Sequence, residues 1–298
     1  MKQVNLIVTT AIFFSVLCLC SEKAKGQSVN EIAIQKENKH YIKSSFNNKT
    51  YELQIALPKK YSDQDTLHYP VLYILDGKSS FTLMNSIRGT LEFGKEIKDI
   101  IIIAIDDSSN TDTNWIGSRF TDYTPSIILQ ADTLWSKIMN LPDGTLKSGG
   151  ADNFLNTLEK QVIPYIDYHY KTTTDRGISG HSLGGLLTGY CLLKKPSLFN
   201  RYGINSPAFW WNNSEMIRNE KFYSSQNMEL SAKVFFSVGG SEDPLMLTPF
   251  NAFTNSIKSR NYNGLSMTVK IFDEETHLSV VPACSSRTLK VLYGANVK

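Results

Sequence analysis

Ser182 stands in Gly180-His181-Ser182-Leu183-Gly184, a serine with a glycine two places to either side. A nucleophilic serine needs this spacing at a tight turn from a strand into a helix. There the serine takes a strained backbone, and a Cβ at either glycine would collide with the adjoining elements. A serine hydroxyl is a weak nucleophile near neutral pH and requires a base. At such a turn the parts follow in the chain order serine, acid, histidine. Of His40, His68, His169, His181 and His277, only His277 follows Ser182. It lies in FDEETHLSVVP, between the last apolar run and the final helical pattern, where the base is required. The acid is expected from the preceding loop, where AKVFFSVGG runs into Ser241-Glu242-Asp243-Pro244. It would hold one tautomer of His277 and stabilise the imidazolium. Spacing does not choose between Glu242 and Asp243. Asp273, Glu274 and Glu275 read as a solvated acidic loop.

Such a set also needs N–H donors for the oxyanion. One is expected at Leu183, where the helix after the serine would present its free amides and the positive end of its dipole. The other is expected in the loop that closes YPVLYILDG, at Gly77 and Lys78, where glycine lets the backbone come close. His181 reads as a packing residue beneath the turn, and Asp76 as a turn former at a strand end. Trp210 and Trp211, in SPAFWWNNS, read equally as core or as the lining of a pocket for an aromatic ligand. Arg119, in SRFTDYTP, has on the residues alone no reading beyond a solvated cation.

Positioning these residues takes a sheet and helices. KTYELQIALPKKY (49–61) alternates apolar and polar residues and ends near Pro58, as a strand near a sheet edge does. YPVLYILDG (69–77), IKDIIIIAIDD (97–107), the lead into Ser182, AKVFFSVGG (232–240) and LSMTVKIFDEE (265–275) are apolar runs expected of strands covered on both faces. Helical patterns separate them. ADNFLNTLEKQVIPYIDYHY spaces Phe154, Leu155, Leu158, Val162 and Ile166 at helical intervals, LGGLLTGYCLLKK follows Ser182, and SVVPACSSRTLKVLYG comes last. This alternation predicts an α/β domain with a mostly parallel sheet wrapped on both faces. The stretch from Asp107 to Gly150 is polar and reads as an irregular insertion that shapes a binding mouth.

The chain has 298 residues, 41% hydrophobic and 20% charged, the balance of an ordinary globular protein. A formal charge of +3 gives no support to a nucleic-acid partner. Residues 1–26 read as a signal peptide: Lys2, the apolar run LIVTTAIFFSVLCLC, then Ala24-Lys25-Gly26, with cleavage expected before Gln27. The remainder, 27–298, is expected to be one exported domain, periplasmic or secreted, without stable membrane insertion after the leader is removed. Cys191 and Cys284 would then remain, too few for a disulfide framework, with Cys191 a buried thiol. No histidine or cysteine cluster has metal-ligand spacing, and neither metal nor cofactor is expected.

Seven stretches, in order, carry a family resemblance: YPVLYILDG, SRFTDYTP, GGADNFL, ISGHSLGGLL, SPAFWWNN, SVGGSEDPLM and THLSVVPA. Together they resemble the Putative esterase family of α/β-hydrolases, in the branch of trilactone siderophore (enterobactin and bacillibactin) esterases. The resemblance covers residues 40 to 295. It implies an α/β-hydrolase three-layer sandwich and carboxylester hydrolysis through an acyl-enzyme. It places the nucleophile on Ser182 and the base on His277. The family's acid is a glutamate three places after a strand-end glycine, with a methionine four further on. Gly239, Glu242 and Met246 match that spacing and favour Glu242 over Asp243, although some relatives work with a serine–histidine dyad. Arg119 falls where relatives carry a substrate-facing arginine. The implied substrate is a small-molecule ester: a catecholate siderophore trilactone, or alternatively the acetyl or feruloyl groups of plant polysaccharides. A non-catalytic siderophore- or glycan-binding protein on the same fold is the further alternative.

Overall fold

The computed structural model describes residues 38–64, 66–109 and 111–295, so the leader expected at 1–26 lies outside the described residues. Eight strands form one sheet in the order β1-β2-β4-β3-β5-β6-β7-β8. β1 (Asn38–Lys43) and β2 (Thr50–Ala56) are antiparallel to their neighbours. β3 (Tyr69–Ile74), β4 (Ile101–Asp107), β5 (Thr172–His181), β6 (Arg201–Asn205), β7 (Glu229–Gly239) and β8 (Asn263–Phe272) run parallel. β3 and β4 are buried along nearly their whole length because helices cover both faces, so no alternation appears in their sequences. β2 alternates buried and half-buried positions, as a strand beside the margin should.

On one face pack α1 (Gly77–Phe93) and the last helix, α9 (Val281–Tyr293), through Phe81, Met84, Leu289 and Leu292. The other face carries α2 (Asp112–Tyr123), a helical run through α4 (Ala151–Thr157) and α5 (Ile163–His169), then α6 (Leu183–Lys194), α7 (Trp211–Ser224) and α8 (Pro244–Arg260). This is the three-layer α/β-hydrolase sandwich. The run from α4 to α5 passes through a π-helical turn at Leu158–Val162, just before Pro164, whose missing N–H interrupts the regular ladder.

Two expectations need correcting. β8 is not covered on both faces: it is the last strand of the sheet and mostly exposed, with Lys270 among its apolar residues, as edge strands often have. The Asp107–Gly150 stretch is not irregular, since it holds α2 and α3 (Leu129–Ile138). The Thr111 side chain caps α2 by accepting from the Asn114 amide. Cys191 and Cys284 are both buried and free.

Candidate active site

β5 delivers Ser182 into a turn with φ 61° and ψ −118°. Backbone of this kind costs a non-glycine residue about 1–3 kcal/mol and persists only where its surroundings hold it. Here the Ser182 amide donates to the Asn205 carbonyl at 3.1 Å, and the Ala208 amide donates to the Ser182 carbonyl at 3.0 Å. A Cβ on Gly180 would lie 2.4 Å from the Gly184 backbone, so that glycine is obligatory. Gly184 is less constrained than its spacing implied, because a Cβ there would meet Asp76 Oδ2 at 3.3 Å. The second true constraint is Gly185, where a Cβ would stand 2.7 Å from the Asn205 carbonyl oxygen and force α6 off the end of β6.

The structure brings His277 and Glu242 to this turn. His277 Nε2 lies 3.0 Å from Ser182 Oγ, and His277 Nδ1 lies 2.8 Å from Glu242 Oε2. An ionised carboxylate only accepts, so Nδ1 carries the proton and Nε2 is left to accept from the serine hydroxyl. The Glu242 side chain is 0% exposed. Its Oε1 accepts from Ser206 Oγ at 2.6 Å and from the Gly239 amide at 2.8 Å. Burial alone would raise the Glu242 carboxyl; the bonds from His277, Ser206 and Gly239 outweigh it and hold the group below its ordinary range. Asp243 instead serves the next helix, its carboxylate capping α8 by accepting from the Leu245 amide at 2.7 Å. Asp273 and Glu274 are exposed.

Leu183 and Gly77 each open a helix, so neither amide has a carbonyl one turn behind it to bond. Lys78 does not share that freedom. Its amide donates to Asp106 Oδ2 at 2.8 Å, which removes it as an oxyanion donor and leaves Gly77 as the amide this loop can offer. Asp76, just before, sits in the left-handed region with φ 55° and ψ 48°. Its amide donates to the Tyr123 hydroxyl at 3.1 Å, and its carboxylate takes two bonds from Arg119, at 2.7 and 3.2 Å. Arg119 Nη2 also donates to the His181 carbonyl at 3.3 Å, and the guanidinium lies over Trp115 and Tyr123. Arg119 is therefore no solvated cation. It ties the Asp76 turn to the nucleophile turn.

Trp211 is fully buried, edge-on to Phe120, with its N–H donated to Ser126 Oγ at 3.2 Å; it is core and not a substrate contact. Trp210 is half-buried, stacks on Trp135 at 5.6 Å and donates to Met246 Sδ at 3.1 Å. The His181 ring lies 4.6 Å from the His277 ring at 40°, and burial beside His277 and Arg119 pushes its pKa down to about 3. Sequence reasoning missed Ser206 and Asp106. Ser206 follows β6, a strand of five residues whose pattern is too short to read. Asp106 ends an apolar run, where its only signal is a carboxylate at a strand terminus.

A family model described as Putative esterase matches residues 44–129 and 142–275. The chain is 26% identical to the ferri-bacillibactin esterase BesA of Bacillus subtilis, over 91% of this chain and 94% of that protein. Among solved structures it superposes on the BES protein from Bacillus cereus with a TM-score of 0.74 and 25% identity, covering 88% of this chain and 97% of the other. An IroE-like serine hydrolase from Shewanella oneidensis gives 0.73 and 26%, over 87% and 80%.

Proposed function

The chain belongs to the Putative esterase family and is an esterase, and on that premise we propose that Ser182, His277 and Glu242 are its catalytic triad and a siderophore trilactone its substrate. The observation that carries this reading is the unbroken relay, 3.0 Å from Ser182 Oγ to His277 Nε2 and 2.8 Å from His277 Nδ1 to Glu242 Oε2. Ser182 Oγ attacks the ester carbonyl as His277 Nε2 takes its proton. The oxyanion forms between the Leu183 and Gly77 amides, each such donor contributing about 3 kcal/mol to the transition state. Buried and ionised, Glu242 stabilises the imidazolium. His277 then gives the proton to the leaving alkoxide, which departs as the alcohol. Water, deprotonated by the same nitrogen, releases the acid and restores Ser182.

Arg119 acts in this reading as a brace that fixes Asp76, and so the Gly77 amide, against the nucleophile turn. The substrate class is drawn from the ferri-bacillibactin esterase, which aligns along 91% of the chain. Export through the leader at 1–26 belongs to the same reading; N-terminal sequencing of the mature protein tests it, with Gln27 the expected first residue and an intact Met1 the result that rejects it.

The decisive experiment is Ser182→Ala with 4-nitrophenyl acetate. Turnover falls by on the order of 10⁶-fold with an unchanged circular dichroism spectrum, and unchanged turnover rejects the mechanism. A panel of ferric and iron-free catecholate trilactones, feruloyl sugars and acetylated xylan then identifies the substrate.

A further inference from the structure

β8 leaves the sheet open on one side. Among the described residues no strand pairs with it opposite β7, and it is exposed along most of its length. An open edge offers a row of backbone N–H and C=O groups to another chain. Parity decides which residues carry them. The Phe272 carbonyl accepts from the Gly240 amide at 2.7 Å, so Phe272 bonds toward β7. Successive residues of a strand direct their backbone groups to opposite sides. Lys270, Thr268 and Ser266 therefore also bond toward β7, whereas Ile271, Val269 and Met267 direct theirs outward.

The outward-bonding residues are also the apolar ones. Leu265, Met267, Val269 and Ile271 share one face of the strand. Leu265 and Met267 pack against the core on the side that carries α8, while Val269 and Ile271 stay 43% and 39% exposed. Charge commonly guards an edge of this kind. Here the one charged residue of β8, Lys270, points to the opposite face and lies over the Phe272 ring.

Two copies of β8 related by a two-fold axis run antiparallel. Pairing requires outward-bonding residues to stand opposite one another, which leaves three registers at the middle of the strand. Centred on Met267, the pairing sets Ile271 against Asn263; centred on Val269, it sets Leu265 against Asp273. Centred on Thr268, it sets Leu265 against Ile271 and Met267 against Val269, so that apolar meets apolar throughout and Lys270 meets Ser266. Charge agrees with this arrangement. Lys258 and Arg260 lie just before β8, Asp273 and Glu274 just after it, and all four are exposed. Antiparallel pairing lays the basic end of each strand beside the acidic end of the other copy.

We propose that β8 pairs with β8 of a second copy of this chain, antiparallel and centred on Thr268, so that one sheet runs through a two-fold dimer. Sedimentation equilibrium of the mature protein at about 100 µM should give twice the monomer mass. Val269→Pro deletes an outward N–H and leaves the ladder to β7 whole. The two-fold makes that loss two hydrogen bonds, so the dimer dissociation constant should rise about thirtyfold. Val269→Lys keeps the backbone, sets a charge against Met267 and should weaken the dimer at least as much. Both variants should retain the wild-type kcat for 4-nitrophenyl acetate, which reports an intact fold. Thr268→Cys stands on the axis and should give a disulfide-linked dimer with diamide. Lys270→Cys, about 13 Å from its copy along the strands, should not; Cys191 and Cys284 are buried and leave the assay clean. A monomer at that concentration, a dimer that both Val269 variants leave intact, or Thr268→Cys linking no faster than Lys270→Cys overturns the proposal.

Discussion

Replacing Glu242 by glutamine changes one atom and should nearly silence the enzyme. The reason lies in which oxygen is already committed. Oε1 accepts from two donors, Ser206 Oγ and the Gly239 amide. The glutamine carbonyl oxygen must remain there, because an NH₂ group would face two hydrogens. The NH₂ is thereby sent to the position of Oε2, 2.8 Å from His277 Nδ1. A donor at that place obliges Nδ1 to accept, which moves the ring proton to Nε2, 3.0 Å from Ser182 Oγ. A protonated Nε2 has no lone pair with which to take the serine proton. The equivalent wrong-tautomer substitution in a serine protease lowers kcat by about 10⁴. Four decades correspond to about 5.4 kcal/mol of lost transition-state stabilisation. The assay is kcat for 4-nitrophenyl acetate near neutral pH, with circular dichroism confirming the fold. A Glu242→Gln protein that keeps a tenth or more of the wild-type kcat would refute the argument and mark a serine–histidine dyad.

Three further outcomes follow from the same geometry. Asp243→Ala should leave kcat unaltered while removing about 1 kcal/mol of stability through loss of the α8 cap, read by urea denaturation; a collapse in kcat would return Asp243 to the triad. Gly180→Ala should abolish both folding yield and activity, because its Cβ would stand 2.4 Å from backbone, whereas Gly184→Ala meets only a 3.3 Å contact and should keep measurable turnover. Burial pushes the Asp106 carboxyl up to about 6 in spite of its bonds from the Lys78 and Asp107 amides. The folded state therefore resists its ionisation, so its stabilising contribution is whole below the unfolded value of about 3.9 and is lost as the pH rises to about 6. Over that interval the wild-type Tm should decline relative to Asp106→Asn, and a difference that does not vary with pH counts against this.

The continuous apolar runs at β3, β4 and β7 were legible because strands buried on both faces admit little else. Ser182 and His277 were legible because chain order and strand ends restrict where each part can stand. What escaped was set by contacts between distant segments. β1 and β6 are six and five residues long, too short to show a period. α2 hides its apolar face among Asp112, Thr113, Asn114 and Gly117, and it forms because Trp115, Phe120 and Tyr123 find cover in the fold. The choice between Glu242 and Asp243 could not be made from spacing, since both stand at the helix entrance and only the turn decides which carboxylate points inward. The two tryptophans of SPAFWW were equally ambiguous, and adjacency in the chain says nothing about their opposite fates. Lys78 carried no mark of its engagement, because Asp106 approaches it from the end of another strand.

The serine, the carboxylate and the imidazole all emerge where β5, β7 and β8 end. β7 itself is 11 residues long, so its start lies about 33 Å from Gly239 at 3.3 Å per residue. Gln226, exposed just ahead of that start, therefore belongs to the far rim. A single cysteine introduced there for coupling to a resin would fix the protein with its working side outward. Beads prepared in this way should turn over esters nearly as well as the free protein.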